Sequence, residues 1–449
     1  MQPEMQLEGI TGAEAPAQAA ASPRPWSLGT RIAFRFAFVY FALYTIDFPL
    51  RLLPFPPIST FAAWYNLLWA RTVVWVSHDV LRISHNFFSD YHNDAGGSKD
   101  TTFIYVQVLC FFVVAVLATV IWSVWDRRRQ SYPQLYKWFI VGLRLSLAAA
   151  MFGYGTLKMF PAQFPPPTLS KLLETYGDSS PMGLLWTFMG GSQLYTTFAG
   201  GAELLAAILL VIPRFAMLGA LICVADLTNV LMLNFGYDVP VKLGTIHLLV
   251  IATIILLPDL GRLLDFLVLN RPVKPAPPRP LFQRAGLNRT AIALQIAFGL
   301  ALFSYGLYRS HQFAEMVAAR RHAPLYGIWL VDDFQMEGQT YPPLATDPFR
   351  WHRLIIESTD DATVQTMTGA REQLHLHPDP GMSGFTLTRY SDPNWIAQFT
   401  CDHPQPELLL LQGKIAGRPI SMKLHREDES KFILNNRPFR WIQNMADKE

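Results

Sequence analysis

Charge is scarce in this sequence. Asp, Glu, Lys and Arg together make 16% of its 449 residues, against about 25% in an ordinary soluble domain. A chain that crosses a membrane several times accounts for the deficit. The net charge of +3 is too small to argue for a nucleic-acid partner, and no basic run with interleaved aromatics offers one. Cysteine is nearly missing as well. Cys110 and Cys223 lie in apolar runs and Cys401 stands alone, so no disulfide framework is expected and each reads as a small apolar filler. There is no CxxC, no HExxH, no P-loop and no GxGxxG after a strand. There is also no internal repeat, and no metal site is expected.

What the sequence does have is long apolar runs, at roughly 32–53, 103–125, 138–160, 194–212, 215–235, 239–257 and 290–308. About 20 such residues suffice to cross a bilayer as a helix. Residues 61–84 are ambiguous: Arg71, His78, Asp79 and Arg82 sit among many aromatics. That density favours a helix lying in the interface, with a span as the alternative. Residues 1–30 carry neither the basic tip nor the apolar core of a signal peptide and read as a disordered cytoplasmic tail. Segments 31–136, 137–258, 259–289 and 290–324 then read as an N-terminal membrane region, a four-run core, a basic cytoplasmic linker, and a final span with its connector. With seven spans, the loops on the N-terminal side carry fourteen Lys and Arg against nine on the other. The expected orientation is N terminus inside, in an inner (cytoplasmic) membrane.

Residues 325–449 change character. Short stretches alternate apolar with polar residues, the period of half-buried strands. Eight are expected, at 327–336, 350–357, 362–369, 384–390, 394–401, 406–412, 418–425 and 431–441. Turn signals such as Glu337-Gly338 and Ala416-Gly417 separate them. The expectation is an extracytoplasmic antiparallel β-barrel or sandwich.

The candidate chemistry lies in the apolar runs. Glu203, Asp226 and His247 stand well inside three of them, and Lys158 follows the glycine-tipped end of a fourth. Ionisable residues at such depth usually face a bundle interior or a cavity. Asn229 is expected to share a face with Asp226, and Gly200 and Gly201 to let a neighbouring helix approach Glu203. Arg144 and Lys158 have the simpler option of snorkelling to opposite surfaces. Asp238 and Lys242, four residues apart around Pro240, read as a helix-start ion pair or as the rim of a site. The long 161–192 connection suggests a lid or binding loop. His375 with His377, and His78 with His85, are weak chelation signals.

Within 137–258 the Gly155-Thr156-Leu157-Lys158 tip, Arg144 fourteen residues before Lys158, and Gly201-Ala202-Glu203-Leu204-Leu205 followed by Arg214 resemble the DoxX-like family of membrane bundles. They are more distantly similar to vitamin K-dependent gamma-carboxylases. Gly327-Ile328-Trp329 resembles the GxW start of lipocalins. The first resemblance implies a four-helix membrane bundle that is a component of a membrane redox system. Quinone would be the cofactor to consider, and a redox enzyme the partner. On that reading Lys158 and Glu203 carry the chemistry. Tyr154, Asp226, Asp238, Lys242 and His247 line a ligand site for a quinone or lipid near the outer leaflet. The competing expectation is a membrane scaffold whose β domain binds partners. No pair of broken helices supports a transporter.

Overall fold

The computed structural model describes residues 25–46, 56–83, 100–276, 279–380, 383–436 and 441–442. The expected tail before residue 25, His85 and most of the polar loop after it lie outside these. The described chain is a bundle of helices followed by a β-barrel. The helices are α1 (Leu28–Thr45), α2 (Pro56–Trp75, running into one π turn, Val76–Val80), α3 (Thr102–Trp125) and α4 (Pro133–Met159). After them come α5 (Pro181–Gly190), α6 (Gln193–Val211), α7 (Ala216–Gly236), α8 (Lys242–Leu256), α9 (Leu260–Leu267) and α10 (Ala285–Arg320).

The helix starts are written locally. Ser27, Thr101, Ser180 and Ser192 each accept a backbone N–H of the first turn, and Pro133 and Pro181 open α4 and α5. The start of α8 is capped from afar: Asp100 accepts from the N–H groups of Lys242 and Leu243, at 2.8 and 3.0 Å.

Among the described residues, six helices are long and apolar enough to cross a membrane: α3, α4, α6, α7, α8 with its continuation into α9, and α10. The pattern of burial says where lipid belongs. The apolar window of α3 has mean hydropathy 2.7, yet only 28% of it is buried by protein. That surface needs a hydrocarbon solvent. The chain is an integral, multi-pass membrane protein. The shorter α1, with two arginines, and α2 with Arg71 are not among the six. Arg35 is fully buried against Tyr132, Ser123 and the carbonyl of Asp126. It ties α1 to the turn between α3 and α4.

The hub is α4, whose apolar window is 61% buried. It meets α6 where Gly155 faces Gly200; a Cβ on Gly200 would stand 2.7 Å from the Gly155 carbonyl oxygen. Gly201, expected to share this role, faces open space. Helix α10 runs beside α4 in the same direction, Gln295 next to Arg144 and Gly306 next to Thr156. Its 36 residues reach about 54 Å, well beyond a hydrocarbon core of about 30 Å. The overhanging end hands the chain to the barrel, on the side where α4 ends at Lys158.

The barrel strands are β1 (Gly327–Met336), β2 (Gln339–Thr340), β3 (Trp351–Ile356), β4 (Asp361–Thr366), β5 (Arg371–Pro378), β6 (Gly384–Arg389), β7 (Ile396–Gln405), β8 (Leu408–Ile415) and β9 (Arg418–Arg426). They form an antiparallel meander in the order β2-β1-β3-β4-β5-β6-β7-β8-β9, closed by β1 against β9. Because β2 is a two-residue flap on β1, eight strands make the ring. Trp329, Phe334, Phe385, Phe399 and neighbouring aliphatics fill it. Arg350 is buried and donates to the carbonyls of Tyr341, Trp351, Val331 and Asp332 where β1 bulges.

Two strand expectations are corrected. Residues 371–378, omitted from the eight, form β5: only Leu374 and Leu376 point inward, too short an alternation to stand out. Of 431–441, expected as the last strand, residues 437–440 lie outside the described residues and the part before them holds a helical turn at Ile433–Asn436. With β9 already closing on β1, no edge remains for a further strand to pair with.

Residues 161–192 join the two parts. Phe164 packs with Leu185, Met189 and Val239 over the bundle end. Leu169 packs with Ile328 and Ile355 of the barrel. Ser170 donates its N–H to Glu357 at 2.7 Å, and Arg371 donates to the carbonyls of Ser170 and Leu173. The expected lid is therefore a strap that docks the barrel. Removing both charged partners with Glu357→Ala and Arg371→Ala should loosen the docking by about 2–4 kcal/mol without unfolding the barrel. Limited proteolysis should then cut within 161–180 faster than in the parent, with the barrel fragment resisting.

Candidate functional site

The close approach at Gly155 and Gly200 sets the geometry of the bundle's polar cluster. The Lys158 side chain leaves α4 against Gly200, its Cβ only 2.8 Å from where a Cβ would stand. It runs along α6 to Glu203, with which it forms a hydrogen-bonded ion pair. Lys158 is 7% and Glu203 2% exposed. An unpaired charge at this depth would cost several kcal/mol, so neither side chain is stable there without the other.

Three other helices complete the cluster. Asp226 of α7 interacts electrostatically with both Lys158 and Glu203. Tyr154, one turn before Lys158, interacts with Glu203 and with Tyr44 of α1. Tyr44 stacks on the His247 ring at 4.1 Å between centroids. The Nδ1 of His247 lies 2.7 Å from the carbonyl of Leu243, which only accepts, so Nδ1 carries the proton. In the neutral ring Nε2 then accepts from the Tyr40 hydroxyl at 2.6 Å. Two acceptors in the cluster remain open among the described residues: Oε2 of Glu203 and Oδ2 of Asp226.

The structure thus brings Lys158, Glu203, Asp226 and Tyr154 together and links His247 to them through Tyr44. It does not add Asp238 and Lys242. These pair with each other at 2.7 Å at the start of α8, with Asp238 exposed. Asn229 is exposed, whereas Asp226 is half-buried. Arg144 does not snorkel. It is buried and donates to Gln295 of α10. It stands fourteen residues, about 21 Å, along α4 from Lys158. His375 and His377 lie on the outside of β5. Among the described residues no group of three or more His, Cys, Asp or Glu could hold a metal ion.

Sequence reasoning missed Tyr40, Tyr44 and Asp100. The tyrosines are four apart and share a face of α1, but run one holds so many aromatics that the spacing does not stand out. Asp100 precedes the second run and meets α8 only through the fold.

Fold and site define an integral membrane protein with a charged cluster inside its helical bundle and a β-barrel docked over one end. The chain is 39% identical over 116 residues to "Uncharacterized protein YwoB" of Bacillus subtilis (strain 168), a match spanning 26% of this chain and 73% of that protein. It belongs to the same family as YwoB. No family model matches the chain, and no solved structure matches it.

The glycine contact yields a direct test. Gly200→Leu should force α4 and α6 apart and separate Lys158 from Glu203, lowering the membrane-inserted level severalfold. Gly201→Leu, on a face with open space, should leave that level close to the parent. Quantitative immunoblotting of membrane fractions reads both.

Proposed function

We propose that this is a DoxX-like membrane protein whose bundle binds a quinone or another small hydroxylated lipid at the Lys158–Glu203–Asp226 cluster, as a component of a membrane redox system. The observation that carries the proposal is the pair of buried, unpartnered acceptors on Glu203 and Asp226. Two carboxylates face one ammonium, so the cluster lacks a proton or a hydrogen-bond donor. A ligand hydroxyl supplies a donor to a carboxylate, and a ligand carbonyl accepts from Lys158. Glu203 orients the lysine and is placed to exchange a proton with the ligand. Tyr154 and Tyr44 bring further hydroxyls, and His247 continues the chain toward α8. The barrel, docked on the same end, covers the bundle or receives a redox partner. The triple arginine at 127–129 marks the cytoplasmic end. Helix α1 starts beside it, with Arg31 on the Arg129 carbonyl, and reaches His247 through Tyr44. With α1 as a seventh crossing, the N terminus is in the cytoplasm and the Lys158 end and the barrel are outside.

A second reading has its own observation. Lys158 and Glu203 already bond each other directly, as a purely structural pair would. The chain is then a scaffold whose barrel binds partners. Lys158→Met, Glu203→Gln and their combination separate the readings. On the ligand reading, protein level holds in Asp226→Ala, which keeps the Lys158–Glu203 pair, and in the double variant, which removes both charges. The quinone or lipid that co-purifies with the parent, identified by mass spectrometry, is lost. On the scaffold reading each single change abolishes accumulation, the double variant restores it, and no small molecule distinguishes parent from variant.

A further inference from the structure

A second site lies at the opposite end of α4. There the ends of α4, α7, α8 and α10 enclose a cavity of about 650 Å³, within the usual size range of ligand sites. Its walls within the bundle are apolar, including Ile140, Met217 and Ile292, and its mouth is cationic. Lys137, Arg144, Arg214, Arg262 and Arg279 line it against the single carboxylate of Asp259. Asp259 is used up by two of these, pairing with Arg262 at 2.9 Å and Arg279 at 3.1 Å. Lys137 donates to the carbonyl of Pro280, which leaves its charge uncompensated. Arg144 is 5% exposed, its Nε has no partner among the described residues, and its other bond goes to the neutral Gln295. Arg214 makes no ion pair with any described residue.

Arg144 is buried, Lys137 and Arg262 are half-buried, and Arg214 and Arg279 are exposed at the mouth; five cations around one carboxylate call for an anion. The surroundings say which kind. Helix α9, which follows Asp259, is amphipathic and exposes Leu260, Leu264, Phe266 and Leu267. The span that begins with α8 thus ends in a short amphipathic stretch whose apolar face meets the membrane interface. Trp138, beside the cavity on α4, and Trp125, at the matching end of α3, are exposed, as tryptophans at the headgroup level are. The cavity therefore opens at the depth of lipid headgroups, with its apolar walls continuing into the hydrocarbon.

We infer that this cavity binds the phosphate headgroup of an anionic phospholipid. The Arg144 guanidinium forms the floor, Arg214 and Lys137 the rim, and the acyl chains leave along the apolar walls. The site is independent of the Lys158 cluster, and its test does not involve it. The full chain, purified in a neutral detergent, is titrated with dihexanoyl phosphatidylglycerol, dihexanoyl phosphatidylcholine or inorganic phosphate, and thermal unfolding is followed. Phosphatidylglycerol should raise the Tm saturably and phosphatidylcholine should not. Inorganic phosphate should need far higher concentrations for a smaller rise. Arg214→Gln, which removes a side chain with no ion pair in the fold, should leave the basal Tm unchanged and weaken phosphatidylglycerol about fivefold. Arg144→Gln should abolish the rise; if that variant fails to fold, Arg214→Gln alone decides. Equal stabilisation by phosphatidylcholine overturns headgroup recognition. Inorganic phosphate matching phosphatidylglycerol overturns the lipid in favour of a soluble anion. An unchanged affinity in Arg214→Gln overturns the assignment to this cavity.

Discussion

Hydrocarbon offers a charged group nothing to bond to, and the bundle is arranged around that fact. Lys158 and Glu203 sit on different helices, and each is tolerable only where the other is. Their meeting requires α4 and α6 to touch backbone to backbone, which only residues without side chains permit. Gly155 and Gly200 are therefore part of the electrostatics as much as of the packing. The same constraint governs Arg35, which is held by the Tyr132 hydroxyl, Ser123 and a carbonyl, and Arg144, which reaches across to Gln295.

Once α4 is fixed as the hub, the rest of the layout follows. Its two ends are chemically opposite: a lysine with two carboxylates at one, several arginines around one carboxylate at the other. Helix α10 runs parallel to it and overshoots the bilayer, so the barrel is delivered to the Lys158 end. The strap after α4 reaches the same place. It clamps the barrel through Leu169, Ser170 and Arg371 while Phe164 stays on the bundle. The closed ring of strands leaves no long edge exposed, so the barrel stands as a separate unit on that platform.

Much of this was legible because lipid and pleated sheets both impose simple patterns. Uninterrupted apolar runs announced the helices, and strict alternation announced seven of the eight ring strands. The eighth, β5, escaped because only Leu374 and Leu376 face the core. The start of the 431–441 segment was mistaken for a strand because alternation cannot report whether a partner edge is still free. Glu203, Asp226 and Lys158 stood out for the same reason that they need each other: a charge inside an apolar run is costly and calls for a partner.

What the amino-acid order determined by itself is the solvent of each segment and the few positions where a charge is buried. Local composition sets those, since hydration and transfer free energies act residue by residue. Which charges meet was decided only in three dimensions. Lys158 found Glu203 rather than a membrane surface, Arg144 found Gln295, and Asp238 kept to Lys242 at the margin. Tyr44 and His247 came together from runs some two hundred residues apart. Such pairings depend on helix rotation and crossing distance, which two glycines and the packing of α1, α8 and α10 set jointly and no single stretch encodes.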